Sequence, residues 1–437
     1  MKKLFLIADT TANKISYYHI VLLLVSLPFD RFYSHTILIS FILHTLIQLK
    51  KNHIKPVFTL TNIMLQSVFW ITVAGTIYST NKPEAFVEWG RQVVILLIPL
   101  ALCLNPLDLK RYRHNFLLLF ALACTASIAY LYLQALLTIK YYHFHITALF
   151  SSAFTNHNFA APFDMHATFF SMQIGIALVY LLYVLFTDKL PNTLKYLYIF
   201  CSLVLAAGVV QLSSKSVFVG LLIIINLAIP YFFLQRTVRV KYILSAILLS
   251  AIIIAGINNI DALKKHYVTD LKKDLGKASA DEVTDPRMAR WGVALKLGAQ
   301  APVIGHGSGT EIQLLKDPFF DHKFYRSFLY GLNAHNQFIS FFIKTGVLGL
   351  LVYLATLVFG FKMAIAKKDL LLFSFMVIIT AVSFSENYLD VDKGVFFYSV
   401  FFSLFIFSGG ADVKGKKPAI SAHKIKPQAT KTEFVTS

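Results

Sequence analysis

The sequence predicts an all-α polytopic membrane protein, and three observations carry that reading. The chain has 437 residues, of which 57% are hydrophobic and only 14% charged, whereas a soluble domain carries about 25% charged residues. Many of its apolar runs exceed the roughly 18 residues that cross a bilayer. The connectors between those runs alternate between Lys/Arg-rich and Lys/Arg-poor. Forty Phe and a mean hydropathy of +0.63 agree, and a large soluble core is excluded. The three cysteines, Cys103, Cys124 and Cys201, all fall inside apolar runs, so they form neither a disulfide framework nor a metal site.

Twelve spans are expected, at about 15–28, 35–49, 57–78, 90–105, 115–136, 163–187, 194–211, 216–235, 241–258, 338–361, 369–387 and 394–410. The second and fourth are short enough to be tilted or re-entrant. Alternate connectors are basic: Lys50, Lys51 and Lys55; Lys110, Arg111 and Arg113; Lys189 and Lys195; Arg236, Arg239 and Lys241; Lys362, Lys367 and Lys368. The short connectors on the opposite side hold only Arg31, Lys82, Arg91, Lys140, Lys215 and Lys393. Cytoplasmic loops of membrane proteins retain Lys and Arg, so the N-terminus and, after an even number of spans, the C-terminus are placed inside. The net charge of +19 is therefore mostly a topology signal rather than a nucleic-acid footprint. The chain divides into spans one to nine (1–258), a long outer loop (259–337), spans ten to twelve (338–410) and a basic tail (411–437). The tail lacks aliphatic periodicity and is expected to be disordered.

The loop is the one long polar segment between hydrophobic spans. Its first part, 260–279, is polar and helix-compatible. A second helix should start with Asp285 as N-cap and Pro286 at the first helical position, and end near Ala299. Met288, Trp291 and Leu295 would then share a face. Gly305-His306-Gly307-Ser308-Gly309 is turn-rich, but it lacks the Lys-Ser/Thr ending of a phosphate loop and is read as a structural turn. The loop ends in Asn333-Ala334-His335-Asn336-Gln337. On the outer side no ATP or nucleotide sugar is at hand, so any reaction there uses an energy-rich donor already delivered across the membrane.

Candidate functional residues follow from chemistry at the membrane boundary, where ionisable groups are costly unless used or paired. His335 sits in a dense polar cluster at the mouth of a span and can take a proton near neutral pH. Arg287 lies in the first turn of its helix, where the dipole also favours an anion. Arg290 is equally well a solvated helix charge. Lys215, among Ser213, Ser214 and Ser216, makes an anion cradle or a snorkelling boundary residue. Asp164 and His166 open the sixth span and Arg91 the fourth. Glu386, Asp390 and Asp392 occupy the last outer connector. Each of these is either functional or an ion-pair partner for another. Lys344 is the one clear cation inside a span, with snorkelling as its route to the surface. No His/Cys cluster has metal-ligand spacing.

The ordered set of motifs resembles the O-antigen ligase and O-antigen polymerase family of bacterial membrane glycosyltransferases. The set comprises about a dozen spans and one large outer loop. The loop carries Arg287-x-x-x-Trp291, then Pro302-x-x-Gly305-x-Gly307, then Ala334-His335-Asn336 running into Gly346-Val347-Leu348-Gly349-Leu350. Lys215 stands where the family usually carries Arg, and His166-Ala-Thr-Phe is similar to another family element. The resemblance implies a C-type glycosyltransferase fold in the bacterial inner membrane, with the loop in the periplasm. It implies an undecaprenyl-diphosphate-linked glycan donor and no required metal or other cofactor. It further implies a diphosphate site at Lys215 and Arg287, with Arg290 and Arg91 as further cations, and His335 at the reaction centre beside Arg287. His166, Asn336 and Glu386 are additional site candidates. The acceptor is a lipid A-core sugar for a ligase, a growing glycan for a polymerase, or a protein Ser/Thr. A transporter or lipid flippase would instead need polar residues near the bilayer midplane or an inverted repeat.

Overall fold

The computed structural model describes residues 2–49, 55–234, 236–276 and 285–409, and the regular elements among them are helical. The basic tail expected to be disordered, 411–437, lies outside the described residues, as does 277–279 at the end of the first polar stretch. The main helices are α1 (Thr11–Ser26), α2 (Arg31–Ile47), α3 (Leu60–Tyr78), α4 (Lys82–Leu104), α5 (Leu109–Tyr141), α6 (Ala167–Thr187) and α7 (Asn192–Leu212). They continue with α8 (Lys215–Phe232), α9 (Arg236–Asn259), α10 (Arg287–Gly298), α11 (Glu311–Asp321), α12 (Tyr325–Leu329), α13 (Gln337–Ala366), α14 (Leu370–Ser383) and α15 (Asp392–Ser408).

The expected spans fall on helices, but among the described residues eight of these, α3 to α9 and α13, are long and apolar enough to cross a membrane, against the twelve expected. Helix α14 is apolar but shorter. The fourth span differs from its expected form. It begins at Lys82 rather than at residue 90 and runs for 23 residues, because Asn81 caps it and Pro83 is tolerated in its first turn. Enclosure is uneven: 78% of the apolar stretch of α6 is buried, against 11% for that of α9. Helix α6 is thus the axis of the bundle and α9 presents its sides outward. Around α6, buried Phe375, Phe397, Phe401 and Phe405 pack at tilted and edge-on angles between α14 and α15.

A second, smaller core sits over one end of the bundle. Val293, Ala294 and Leu297 of α10, Leu315 and Phe319 of α11, Phe324, Ala334, and Ile339 and Ile343 of α13 pack together. The helix start at 285–287 differs from expectation. Asp285 Oδ2 accepts from Ser327 N at 2.6 Å and Ser327 Oγ at 2.7 Å, so it ties α10 to α12, and Pro286 holds the cap position without a side-chain bond. The buried face of α10 also differs. It comprises Arg290, Val293, Ala294 and Leu297, while Met288 and Leu295 are exposed. Helix periodicity allowed both faces, and packing against α13 selected the one with small residues.

The glycine-rich turn explains two motifs at once. His306 N donates to Ile343 O and Gly307 N to Lys344 O, and Val347 N donates back to Pro302 O at 2.8 Å. The turn therefore pairs with α13 at Gly346, whose φ of 63° breaks the helix there. A Cβ on Gly346 would meet Val303 O at 2.3 Å, and one on Gly307 would meet Ser79 Cα at 2.4 Å. Backbone approach this close requires glycine on both sides. The string is a structural turn that docks the loop onto α3 and α13.

Candidate active site

Four segments far apart in the chain converge at the junction of the bundle and the smaller core. Ser213 takes a left-handed conformation (φ 51°) that ends α7 and turns the chain into α8 at Lys215. Arg287 is the first residue of α10. His335 is also left-handed, at φ 47°, a conformation that costs a non-glycine residue about 1 kcal/mol and needs support from its surroundings. Glu386 lies in the connector between α14 and α15.

Within this junction Lys215 Nζ lies 3.2 Å from Asp274 Oδ2, and Arg287 Nε lies 3.6 Å from the same oxygen. Arg287 Nη1 donates to Ser385 O at 2.9 Å, and its Nη2 is 3.9 Å from Glu386 Oε1. Glu386 Oε2 pairs with His335 Nδ1 at 3.1 Å. Lys215, Arg287, His335 and Glu386 thus form one connected cluster, and Asp274, which drew no attention in the sequence, bridges its two cations. Asp274 ends a run of short helical pieces, Asp261–Lys264, Lys265–Thr269 and Asp270–Asp274. Only its position in an outer polar stretch could have suggested it.

Arg290 is the largest departure from expectation. It is not a solvated helix charge: it is 5% exposed, and its Nε and Nη1 have no partner among the described residues. Burial, reinforced by the neighbouring Arg287, pulls its guanidinium down to about 10, with Asp274, Asp285 and Glu386 acting the other way. Ser214 Oγ, next to Lys215, is likewise buried and unpartnered. Buried polar groups normally have a partner, so these Arg290 nitrogens, with Arg287 as a neighbouring charge, form an arrangement able to bind an anion.

His166 caps the entry to α6 and packs edge-on against His157, with ring centroids 4.3 Å apart. Burial is the main reason its imidazole is pulled down to about 4. Glu386 opposes that shift, and His157, His335 and Arg287 add to it. It is a neutral group in the wall of the cluster, and its Nδ1 has no hydrogen-bond partner among the described residues. For Glu386, burial would raise the carboxyl. The hydrogen bond from His335 and the charges of His335, His166 and Arg287 outweigh burial and hold it at about 2. Asn336 serves as the N-cap of α13, its Oδ1 accepting from Phe338 N and Ile339 N.

Arg91 is not brought to this cluster. It lies 3.8 Å from Glu84 and lines a separate cavity of about 390 Å³ with Arg31, Glu88, Glu311, Asn333 and Lys344. Lys344 does not snorkel. Its side chain is 4% exposed, and Nζ contacts Glu88 Oε1 at 2.6 Å and Asp390 Oδ1 at 2.9 Å. Glu88 and Lys344 are opposite charges on two apolar helices, a sequence signal for a buried pair.

No curated protein matches the chain. A family model described as O-antigen ligase matches residues 200–354, a stretch that contains Lys215, Arg287, Arg290 and His335 and stops short of Glu386. Over those residues the chain is similar to the O-antigen ligase family.

Proposed function

We propose that this protein is an O-antigen ligase working at the periplasmic face of the bacterial inner membrane. It takes a glycan from undecaprenyl diphosphate and joins it to a lipid A-core sugar hydroxyl. The observation that carries the reading is the buried Arg290 guanidinium beside Arg287. Lys215 and Arg287 share Asp274, Arg287 also reaches Glu386, and two nitrogens of Arg290 have no partner among the described residues. A diphosphate supplies that missing partner. Arg287 binds it through parallel N–H donors, Lys215 as a point charge, and Arg290 through its free Nε and Nη1.

The chemistry then needs no nucleotide. The acceptor hydroxyl attacks the anomeric carbon of the donor sugar. The C–O bond to the diphosphate breaks, and the electron pair leaves on the phosphate oxygen, whose growing charge the three cations stabilise. His335 takes the hydroxyl proton on Nε2, while Glu386 at Nδ1 orients the ring and stabilises the imidazolium that forms. A single displacement inverts the anomeric centre. His166, held neutral, lines the site as a hydrogen-bonding group. Arg91 takes no part in binding the diphosphate. With purified protein in detergent, lipid-linked donor and lipid A-core acceptor, His335→Ala should lower transfer by about 10²–10⁴-fold while the protein still accumulates. Transfer within a few-fold of wild type would remove His335 from the reaction centre.

A further inference from the structure

The left-handed backbone of His335 is held in place from outside its own segment. Ala334 N donates to Glu311 Oε1 at 2.9 Å, and Ala334 O accepts from Trp291 Nε1 at 2.9 Å. His335 N donates to Asn333 Oδ1 at 3.0 Å, and Asn336 N donates to Asn387 Oδ1 at 2.8 Å. Glu311 and Asn387 also hold each other: Asn387 Nδ2 lies 3.2 and 3.1 Å from the two Glu311 oxygens and 3.2 Å from Asp390 Oδ2. Asp390 Oδ1 accepts from Lys344, Lys344 donates to Glu88, and Glu88 Oε2 accepts from Gly309 N at 2.5 Å. An unbroken chain of hydrogen bonds runs from the glycine-rich turn to the peptide groups on either side of His335.

Two features make this more than general packing. Asn387 directly follows Glu386, the partner of His335 Nδ1, so one amide fixes both the His335 segment and the connector that carries its carboxylate. Its orientation is also unique, since a flipped amide would set NH₂ against the Asn336 N–H and oxygen against two carboxylates. Among the described residues the hydrogen-bond partners of Glu311 are all donors: Ala334 N, Asn387 Nδ2 and Ser340 Oγ. The site wants an acceptor with two oxygens, not merely a side chain of that size.

We propose that Asn387 and Glu311 are positioning residues of the transfer reaction, holding His335 and Glu386 in register through the peptide groups of Ala334 and Asn336. This rests on the reading of His335 as the group at the reaction centre. Neither residue touches substrate. The floor of the device is the Lys344–Glu88–Asp390 cluster, which places one buried cation between two carboxylates.

The test compares Asn387→Ala and Glu311→Gln with the wild-type protein in two measurements. In transfer kinetics, kcat per folded molecule should fall by about 10–100-fold, the range for a misplaced reacting group, with the KM for lipid-linked donor essentially unchanged. Glu311→Gln is isosteric but replaces one acceptor oxygen with an amide NH₂ set against Asn387 Nδ2 and one of the other donors, whereas a purely space-filling role would tolerate it. In hydrogen–deuterium exchange, amides in 333–337 should exchange faster while those of 287–298 keep their wild-type rates. Unchanged kcat in both variants would overturn the proposal. So would wild-type exchange across 333–337, which is measurable whether or not any transfer occurs. His335→Ala with normal transfer would instead sink the reaction-centre reading and leave the exchange result standing.

Discussion

Replacing Arg290 with Met should weaken donor binding and leave the unliganded protein as stable as before, or more so. The side chain is 5% exposed, two of its nitrogens have no partner among the described residues, and burial pulls its guanidinium well down, to about 10. At 1.36 kcal/mol per pKa unit, burial disfavours the charge by about 3 kcal/mol. Methionine keeps most of the packing along the stem and removes that penalty. In the donor complex the sign reverses. Taking one partner from a desolvated charge contact costs about 2–5 kcal/mol, or roughly 30-fold or more in the KM for donor. The assay is transfer from purified lipid-linked donor with donor concentration varied, alongside thermal unfolding in the same detergent. A normal KM for donor would refute the reading of Arg290 as an anion ligand. A steep fall in melting temperature without donor would show that its charge is already satisfied within the fold.

Three further outcomes follow from the same geometry. Lys215→Ala and Arg287→Ala should raise the KM for donor by roughly 30-fold or more, whereas Lys215→Arg keeps the charge and should retain transfer in the same assay. Asp274→Asn removes the carboxylate that occupies both cations (3.2 and 3.6 Å), so it should lower the KM for donor; a raised KM would mean that Asp274 orders the site rather than competing for it. The buried His166 binds its proton near 4 instead of 6.5. Between those values the unfolded chain holds more protons, so stability is lost as pH falls from about 6.5 to 4, by roughly 3 kcal/mol at the lower end. His166→Gln should flatten that acid limb in unfolding measured against pH, and an unchanged slope would contradict the assignment.

Much of the fold was legible because lipid leaves a chain few options. Runs of apolar residues had to be helices, and each expected span landed on one. What the sequence hid was contact between distant segments. Arg290 and Trp291 are neighbours on one helix, and periodicity could not say which would face the core; the small residues Ala294 and Gly298 against α13 decided it. His335, Arg287, Lys215 and Glu386 could each be singled out from their place at a membrane boundary. Asp274 could not, because a single acidic residue in a polar stretch of Lys and Asp carries no local signal. Arg91 had the same local character as Lys215, yet the bundle carries it to the cavity beside Glu84 instead. The ladder from Glu88 through Lys344 to Asn387 spans residues 88 to 390, and only the unusual charges inside two apolar helices hinted at it.

Binding of a polyprenyl diphosphate to the purified protein in lipid nanodiscs tests the anion site most directly, because it needs no acceptor and no turnover. The wild-type protein should bind the diphosphate lipid more tightly than the matching monophosphate. Arg290→Met, Lys215→Ala and Arg287→Ala should each weaken that binding by about 30-fold or more, while Arg91→Ala should leave it unchanged. Equal binding by all four variants, or a loss confined to Arg91→Ala, would move the donor site away from this junction.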